Sequence, residues 1–397
     1  DGLTLKASGN VIIDARLANG DGAGPGLIVS GDDVVVRGFT IRHVMGSSSA
    51  EGYGVDVKGL RVRLEKLRIV NASAGGVIVE QTDAVIKNCR FEACWIGVYA
   101  TEATRLLVEN CVVERASIHG ILVKGDDLVI RKNKITSCAT GILVLGSARQ
   151  RIEFNTITRC EFDAIALLTL SEGVVRGNKI TSVSSGGGIR AVGDDPEITS
   201  NTIVETGGDG INVTGSNSVV AKNKVVGVAG FNGGIEVIGA NGTIESNALH
   251  DVGGDGILSS SSNMTVKKNV VLRCGRFPGN PSTAFHLMGT SIDVLGNTAK
   301  DGRGDGFNLS LQDSEVIGNT AIGNVTDGFD LAVTGLVSNN VALKNLGEGF
   351  DLDNAGMTFT NNVAKNNRID VAATTAPLSF EANSFGTGGV NTLPEID

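Results

Sequence analysis

Short runs of apolar residues, rich in Val and Ile, alternate with polar residues along most of the chain. The alternation has a period of two, as in the segment from Ile211 to Val213, and this period is typical of strands whose side chains point to opposite faces. No window shows a sustained period of 3.6 residues, which argues against helical and leucine-rich repeats. The pattern therefore predicts an all-β protein built from many short strands.

An asparagine recurs along the chain at intervals of 21 to 28 residues. In most repeats an apolar residue follows two positions later, and a Gly with a second apolar strand comes eight to twelve residues further on. A fixed interval of this length indicates a solenoid. The asparagines are Asn133, Asn155, Asn178, Asn201, Asn223, Asn247, Asn269, Asn297, Asn319, Asn340, Asn362 and Asn383.

The same register extends backwards to Val11 and gives about 17 coils of 21–28 residues in a single domain over 1–397. Residues 1–40 would form the first coils, or a truncated N-terminal cap, and 384–397 a C-terminal tail. We expect a single-stranded parallel β-helix, in which each strand stacks about 4.8 Å from its copy in the next coil. The asparagines are expected to take the left-handed bend between two strands, and their stacked amides to form a hydrogen-bond ladder.

Two neighbouring columns after the Gly predict which side chains face the core. The first column is apolar throughout and ends in four phenylalanines: Val55, Val77, Val98, Ile121, Ile142, Ile165, Ile189, Ile211, Ile235, Ile257, Phe285, Phe307, Phe329 and Phe350. The second column is predicted to point outward, is apolar from Ile78 to Ala166, and from Arg190 onward is polar or charged apart from Leu258.

Composition and charge exclude several classes of protein. The 55 Gly residues argue against a helical protein, and 41% hydrophobic residues argue against a disordered tail. No apolar run reaches the roughly 20 residues that span a bilayer, and no basic-then-apolar signal peptide opens the sequence.

All of the net charge of −9 lies in residues 281–397, with 14 Asp and Glu against 5 Lys and Arg. Such an acidic end disfavours nucleic acid as a partner.

On these repeats the sequence resembles the right-handed parallel β-helix proteins, the pectate-lyase-like superfamily of polysaccharide lyases, glycoside hydrolases and NosD-like proteins. The resemblance implies the fold, a polysaccharide or oligosaccharide partner, and an extracellular or periplasmic location. The chain lacks the Arg-x-Pro-x-x-Arg of pectate lyases, the Asn-Thr-Asp of polygalacturonases and the Asp-Pro-His-Asp of mannuronan epimerases. The resemblance therefore leaves open whether the protein is a lyase, a hydrolase or a non-catalytic module.

Acidic residues of the last coils are the candidates for catalysis. Asp330 and Asp351 share the outward column of adjacent coils, about 4.8 Å apart, which suits a retaining glycosidase, whose carboxylates lie about 5–5.5 Å apart. Asp305 and Glu348 lie two coils apart, about 9.6 Å, which suits an inverting glycosidase, whose carboxylates lie about 6.5–9.5 Å apart. His286 follows a coil lengthened between Arg273 and Thr283 and is a candidate acid or base. The predicted catalytic residues are His286, Asp330, Asp351 and Asp327.

Further side chains of the outward face are predicted to bind substrate or calcium. The predicted substrate-binding residues are Arg190, Asn212, Glu236, Arg276, Asn308 and Tyr99. Calcium takes several oxygen ligands with loose geometry, and Asp305, Asp327, Glu348 and Asp353 are its predicted ligands.

A non-catalytic alternative competes with these assignments. An Asp before a Gly is common in turns, where its carboxylate accepts backbone N–H bonds. On this interpretation the protein is a non-catalytic surface, adhesin or calcium-binding NosD-like module.

The apolar part of the outward column and the cysteines remain ambiguous. The stripe of Ile78, Leu122 and Leu143 predicts a homo-oligomer contact, a covering segment or a surface for sugar stacking. Cys138 and Cys160 lie in adjacent coils and could form a disulfide if their Cβ geometry allowed it, but columns of this kind usually hold buried free thiols.

Overall fold

A computed structural model gives the fold of residues 2–15, 24–46, 52–276, 282–375, 377–386 and 390–391. The chain divides into two compact units, 1–197 and 198–397. The single domain predicted from the repeat stays a prediction. Parts of the predicted first coils and tail, residues 16–23, 387–389 and 392–397, lie outside the described residues.

The described residues form an all-β, parallel, right-handed solenoid of about 15 turns, close to the predicted 17. Most coils carry three short strands. Face 1 follows the Gly column, face 2 carries the next strand, and face 3 begins after the Asn column. Each strand pairs in parallel with its counterpart in the next coil, for example Phe285 with Phe307 and Phe307 with Phe329.

The strands of the first unit are three to nine residues long. Face 1 consists of β3 Leu27–Val29, β6 Tyr53–Val57, β9 Gly75–Val79, β12 Ile96–Ala100, β15 His119–Lys124, β18 Thr140–Ala148, β21 Ile165–Ser171 and β24 Ile189–Asp194. Face 2 consists of β1 Thr4–Lys6, β4 Val35–Arg37, β7 Arg63–Glu65, β10 Val85–Lys87, β13 Leu107–Glu109, β16 Val129–Arg131, β19 Arg151–Glu153 and β22 Val174–Arg176. Face 3 consists of β2 Ile12–Asp14, β5 Thr40–Val44, β8 Arg68–Ala72, β11 Arg90–Glu92, β14 Val112–Glu114, β17 Lys134–Cys138, β20 Thr156–Cys160 and β23 Lys179–Val183.

In the second unit, four long strands cover both face 1 and face 2, and β25 Glu197–Thr199 contains the boundary between the units. Face 1 consists of β27 Ile211–Thr214, β30 Ile235–Ala240, β33 Ile257–Lys267, β35 Phe285–Leu295, β37 Phe307–Ile317, β39 Phe329–Ser338, β41 Glu348–Leu352, β44 Ile369–Ala373 and β47 Val390–Asn391. Face 2 adds β28 Val219–Ala221, β31 Thr243–Glu245, β42 Met357–Thr360 and β45 Ser379–Glu381. Face 3 consists of β26 Thr202–Thr206, β29 Lys224–Val228, β32 Ala248–Val252, β34 Val270–Leu272, β36 Thr298–Lys300, β38 Thr320–Ile322, β40 Val341–Leu343, β43 Val363–Lys365 and β46 Ser384–Phe385.

The predicted inward column forms the core. Its members are 0 or 1% exposed, from Val55 to Phe350. In the second unit the four phenylalanines stack nearly parallel, with ring centroids 4.6 Å apart between Phe285 and Phe307 and 4.8 Å apart between Phe329 and Phe350. The phase of the strands is therefore confirmed, and the residue after each of these positions faces outward.

The asparagine ladder is confirmed, but its predicted role in the bend is wrong. The side-chain amide of Asn297 donates to Asn319 Oδ1 at 3.0 Å and to the backbone oxygen of Val266 at 2.8 Å. The left-handed backbone lies at the residue before the Asn, as at Lys222 (φ 57°) and Lys268 (φ 55°). The ladder asparagine itself stays buried because its amide satisfies backbone groups that the bend leaves without strand partners.

The glycine column admits no side chain because successive coils approach closely there. A Cβ at Gly306 would lie 2.6 Å from the backbone oxygen of Gly328, and a Cβ at Gly328 would lie 2.6 Å from that of Gly349. The strand after each Gly can therefore pack tightly against the next coil.

All six cysteines are buried free thiols, so Cys138 and Cys160 pair in register without a disulfide. Ile78, Leu122 and Leu143 are partly exposed in the first unit, and their role as an oligomer contact stays a prediction. Within the described part of the chain, no helix is long and apolar enough to cross a membrane.

Candidate functional site

The candidate site is the outward side of face 1 in the second unit. Parallel pairing places its side chains in one row, with one position on each successive strand. The apolar Leu258 occupies the position between Glu236 and His286. We call this row, with the acidic column two residues before each inward position, the carboxylate face. It comprises Asn212, Glu236, His286, Asn308, Asp330 and Asp351 of the row, and Asp209, Asp255, Asp305, Asp327 and Glu348 of the column.

One oxygen of each column aspartate holds the backbone of the next coil. Asp209 Oδ1 accepts a hydrogen bond from the backbone N–H of Gly233 at 2.8 Å. Asp255 Oδ1 accepts one from the backbone N–H of Thr283 at 2.7 Å. Asp305 Oδ1 accepts one from the backbone N–H of Asp327 at 3.1 Å. Asp327 Oδ1 accepts the N–H of Glu348 in the same way. These are the bonds expected of an Asp before a Gly. They fix each carboxylate and leave Oδ2 available for the outward row.

His286 is positioned by Asp255, a contact that sequence analysis missed. Its Nδ1 lies 3.1 Å from Asp255 Oδ2, and 34% of its side chain is exposed. The hydrogen bond to Asp255 raises the pKa of His286, with further contributions from the charges of Asp305 and Asp330. The partner is the acidic-column residue of the coil before His286, so the signal in the sequence was the diagonal relation between the acidic column and the outward column.

The coils before His286 hold a second acidic group. The amide of Asn212 donates to Glu236 Oε2 at 2.6 Å and to Asp209 Oδ2 at 3.1 Å. Burial raises the pKa of Glu236, and the nearby charge of Asp209 adds to the shift. The structure thus brings together Asn212 and Glu236, two of the predicted substrate-binding residues.

The predicted pair Asp330 and Asp351 lies in register on β39 and β41. The amide of Asn308 donates to Asp330 Oδ2 at 2.7 Å. Burial raises the pKa of Asp330 to about 6, and the charges of Asp305, Asp351 and Asp353 contribute while His286 opposes the shift. Burial also raises the pKa of Asp351. Two half-buried carboxyls on adjacent strands, both with raised pKa values, can therefore hold one proton between them at mildly acidic pH.

Asp327 and Glu348 form a second, differently balanced pair. Burial and a hydrogen bond with Glu348 raise the pKa of Asp327 to about 8. The same hydrogen bond and the guanidinium of Arg368, 2.6 Å from Glu348 Oε1, lower the pKa of Glu348. In this pair Glu348 is therefore the ionised carboxylate and Asp327 is the protonated carboxyl.

The predicted calcium ligands do not converge on one point. Asp353 is exposed and accepts the hydroxyl of Thr374 at 2.8 Å, while Glu348 pairs with Arg368. Among the residues that the structure describes, no group of three or more His, Cys, Asp or Glu is arranged to hold a metal ion. Calcium stays a prediction.

The remaining predicted binding residues are not brought into this row by the contacts observed. Arg276 Nη1 lies 2.7 Å from Asp251 Oδ1, and Arg273 also binds Asp251. The rest of the lengthened loop, 277–281, lies outside the described residues. Tyr99 stacks on Tyr53, with centroids 6.3 Å apart, and Arg190 is exposed, both within the first unit.

A family model for the right-handed β-helix region matches residues 25–173, 119–241, 167–315 and 228–385, and these overlapping matches cover most of the chain. The chain belongs to this family. Membership in the β-helix family confirms the resemblance stated from the repeats. No curated protein matches the sequence.

Solved β-helix structures resemble this one only remotely. The catalytic unit of an α-1,3-glucanase from Streptomyces thermodiastaticus is 13% identical, covers 99% of this chain and 70% of its own, and has a TM-score of 0.41. A mannuronic-acid-specific family 6 polysaccharide lyase from human gut microbiota is 12% identical, with 81% of each chain covered and a TM-score of 0.44. The adhesin PfbA of Streptococcus pneumoniae is 10% identical, with coverages of 92% and 78% and a TM-score of 0.37. These three neighbours differ in function.

Proposed function

We propose that the carboxylate face binds a glycan and hydrolyses its glycosidic bonds. The observation that carries the proposal is the pair Asp330 and Asp351, in register on adjacent strands, half-buried, and with raised pKa values. Glycoside hydrolysis needs one carboxyl group that holds a proton and one that is ionised, both beside the scissile bond.

Asp330 is assigned as the general acid. A pKa of about 6 keeps a useful fraction of this carboxyl protonated near neutral pH. Asp351 is assigned as the nucleophile or base. The strand spacing of about 4.8 Å places its carboxyl near the separation of about 5–5.5 Å that retaining enzymes use. A retaining mechanism is therefore favoured.

The other side chains of the row would bind and orient the sugar. Nε2 of His286 is the ring nitrogen opposite the bond to Asp255, so it is positioned to contact a hydroxyl group of the glycan. Asn308 and Asn212 bind the neighbouring carboxylates through their amides. Asp327 is proposed as a second, weaker candidate acid because it holds a proton at neutral pH.

A neutral or amino-sugar glycan fits the charge of this face better than a uronate. The row and column are rich in carboxylates, and Arg368 is engaged by Glu348. These carboxylates repel a negatively charged sugar. A lyase acting on uronates would therefore need a cation such as calcium, and Asp305, Asp327, Glu348 and Asp353 would have to bind it. The proposal includes an extracellular or periplasmic location, where the polysaccharides of cell walls and cell surfaces are met.

A non-catalytic module is the second candidate, and one observation favours it. Asp209, Asp255, Asp305 and Asp327 each hold the backbone of the next coil. An acidic column therefore has a structural reason to exist without any reaction. This account does not extend to Asp330 and Asp351, whose raised pKa values come mainly from burial.

The test is a screen of the full chain on neutral, amino-sugar and uronate polysaccharides, with reducing ends and unsaturated sugars measured separately. Asp330→Asn is the active-site variant, and Asp313→Asn, an exposed aspartate on β37, is its control. The proposal predicts new reducing ends from a neutral or amino-sugar glycan, lost in Asp330→Asn and kept in Asp313→Asn. Release of unsaturated sugars would support a lyase instead, and no cleavage of any glycan would support the non-catalytic module.

A further inference from the structure

We propose a second glycan site on face 3 of the first unit, for a sugar chain that carries carboxylate or sulfate groups. It is a shallow concavity of about 720 Å³ that adjoins a second one of about 640 Å³. Both are lined by Arg115, Ser137, Arg159 and Ser182. The volume is in the range of sites that hold small ligands, roughly 300–1,000 Å³. We call the two adjoining concavities together the hydroxyl concavity.

The concavity arises because the outward side chains become small over three consecutive coils. β17, β20 and β23 carry Thr136, Thr158 and Thr181 at the same outward position. The next residue in each strand is left-handed, with φ of 56–59° at Ser137, Arg159 and Ser182. The long side chain of Arg159 therefore stands between two serines, one on each neighbouring coil.

The lining offers hydroxyl groups, which can both donate hydrogen bonds to a sugar and accept them. Thr158 Oγ1 donates to Thr136 Oγ1 at 3.2 Å, and Arg159 Nε donates to Ser137 Oγ at 3.2 Å. These bonds fix the orientation of the side chains before a ligand arrives, which lowers the entropy lost on binding.

Charge selects an acidic ligand. Lys134 also lines the second concavity. Arg115 is bound by Glu92 and Glu114 by Arg90, whereas within the described residues Arg159 and Lys134 form no ion pair. Only one edge of the guanidinium of Arg159 is used by Ser137, so the other can bind a carboxylate or sulfate with two hydrogen bonds. Glu161 is exposed at the rim and opposes this attraction.

This site differs from the carboxylate face in place and in charge. It lies on face 3 of the first unit, where hydroxyls and basic groups prevail, and the face proposed for hydrolysis lies in the second unit, where carboxylates prevail. The hydroxyl concavity is therefore expected to bind acidic glycans without cleaving them, whether or not the carboxylate face is an enzyme.

Calorimetric titration of the full chain with tetragalacturonate, and with its methyl ester as a neutral match, tests the proposal. We expect binding of the acid that is at least about tenfold tighter than binding of the ester, and that weakens as salt is raised. Arg159→Gln should lose about tenfold in affinity, and Glu161→Gln should gain. Arg105→Gln is the control, because Arg105 is an exposed arginine in the same unit with a similar φ of 53° and is held by Asp83.

Three results would overturn the proposal: no binding of tetragalacturonate at millimolar concentration, equal binding of acid and ester, or an Arg159→Gln affinity equal to that of the unaltered chain. Asp330→Asn separates the two sites. If this variant abolished tetragalacturonate binding, the ligand would lie on the carboxylate face and the hydroxyl concavity would be rejected, while the proposed hydrolysis would still be judged by its own assay.

Discussion

Single aspartates of the carboxylate face perform two tasks with their two oxygens. In Asp255, Oδ1 accepts a backbone N–H of the next coil and Oδ2 binds His286. A carboxylate held in this way cannot rotate freely, so it fixes the imidazole ring and stabilises the charged form of that ring. The repeat thus supplies rigid carboxylates, and the outward residue decides how each one is used.

Asp255→Asn is expected to lower the pKa of His286 towards its ordinary value of 6.5. A raised pKa stabilises the fold below the unfolded value and loses that contribution as pH rises through the folded value, so the variant should be less stable near pH 5–6 and little changed at pH 9. NMR titration of the imidazole measures the shift directly. Asp313→Asn serves as control and should leave it unchanged. An unaltered His286 pKa in Asp255→Asn would contradict the assignment.

The sequence predicted most of these residues but not their partners. Alternation of apolar and polar residues placed His286, Asn308, Asp330 and Asp351 in one outward row, because side chains in a strand alternate between faces. It did not reveal that His286 pairs with Asp255, because the side chain leans towards the preceding coil. Side-chain direction between coils depends on the bends, which the repeat length leaves undetermined.

At the level of elements, the asparagine ladder contributes to holding the coils of the second unit together. Asn297, Asn319 and Asn340 are fully buried, and each amide bonds both to the next asparagine and to a backbone oxygen. A buried polar group that loses its partner costs about 1–3 kcal/mol. The ladder is therefore an element whose interruption affects two neighbouring coils together.

Asn319→Ala is expected to destabilise the protein by roughly 2–4 kcal/mol, because the donors of Asn297 and the backbone oxygen of Val294 lose their partner. Chemical denaturation followed by circular dichroism measures the change. Asn339→Gly is the control: Asn339 is exposed and left-handed, with φ of 57°, and glycine accepts that backbone, so the control should change the stability by less than about 0.5 kcal/mol. Equal effects of the two substitutions would refute the structural role of the ladder.

The asparagine spacing predicted one feature of the ladder correctly and another wrongly. The spacing of the asparagines predicted the ladder itself, because only stacked coils bring them together. It misplaced the left-handed residue by one position, since Lys222, Lys268 and other residue types take that conformation. Propensity favours Asn in such a bend, but the buried amide ladder requires Asn at the next position and therefore determines where it stands.

For the whole molecule, the half-buried carboxyls of the carboxylate face determine the predicted response of stability to pH. Four carboxyls of the carboxylate face have raised pKa values, namely Glu236, Asp327, Asp330 and Asp351. A carboxyl with a raised pKa binds a proton more tightly in the folded state, so stability increases as pH falls through the folded value. His119 opposes this trend because burial lowers its pKa.

The full chain is therefore expected to melt at a higher temperature at pH 5.5 than at pH 8.5. The carboxyls with lowered pKa, such as Glu92 and Glu109, keep their contribution throughout this window, because that contribution is lost only below about pH 4.5. Calorimetric melts over this range give the measurement. Combining Asp327→Asn with Asp330→Asn should raise the melting temperature at pH 8.5 and flatten the dependence. A melting temperature that falls between pH 8.5 and 5.5 would show that the face is not strained by its charges.

The fold could be predicted from the sequence because a repeat imposes the same solution on every coil. The activity could not be predicted, since the outward position accepts Leu258, His286 or Asp330 while the inward residue before it stays apolar. Function in such a fold depends on a few outward side chains, and their pKa values arise from burial and from neighbours in adjacent coils.

The most direct test of the central claim is the rate of glycosidic bond cleavage by the unaltered chain, by Asp330→Asn and by Asp313→Asn on a neutral or amino-sugar glycan that the screen identifies. The account predicts a loss of about a hundredfold or more in Asp330→Asn, a normal rate in Asp313→Asn, and a rate in the unaltered chain that falls as pH rises through about 6. A rate in Asp330→Asn equal to that of the unaltered chain would contradict it.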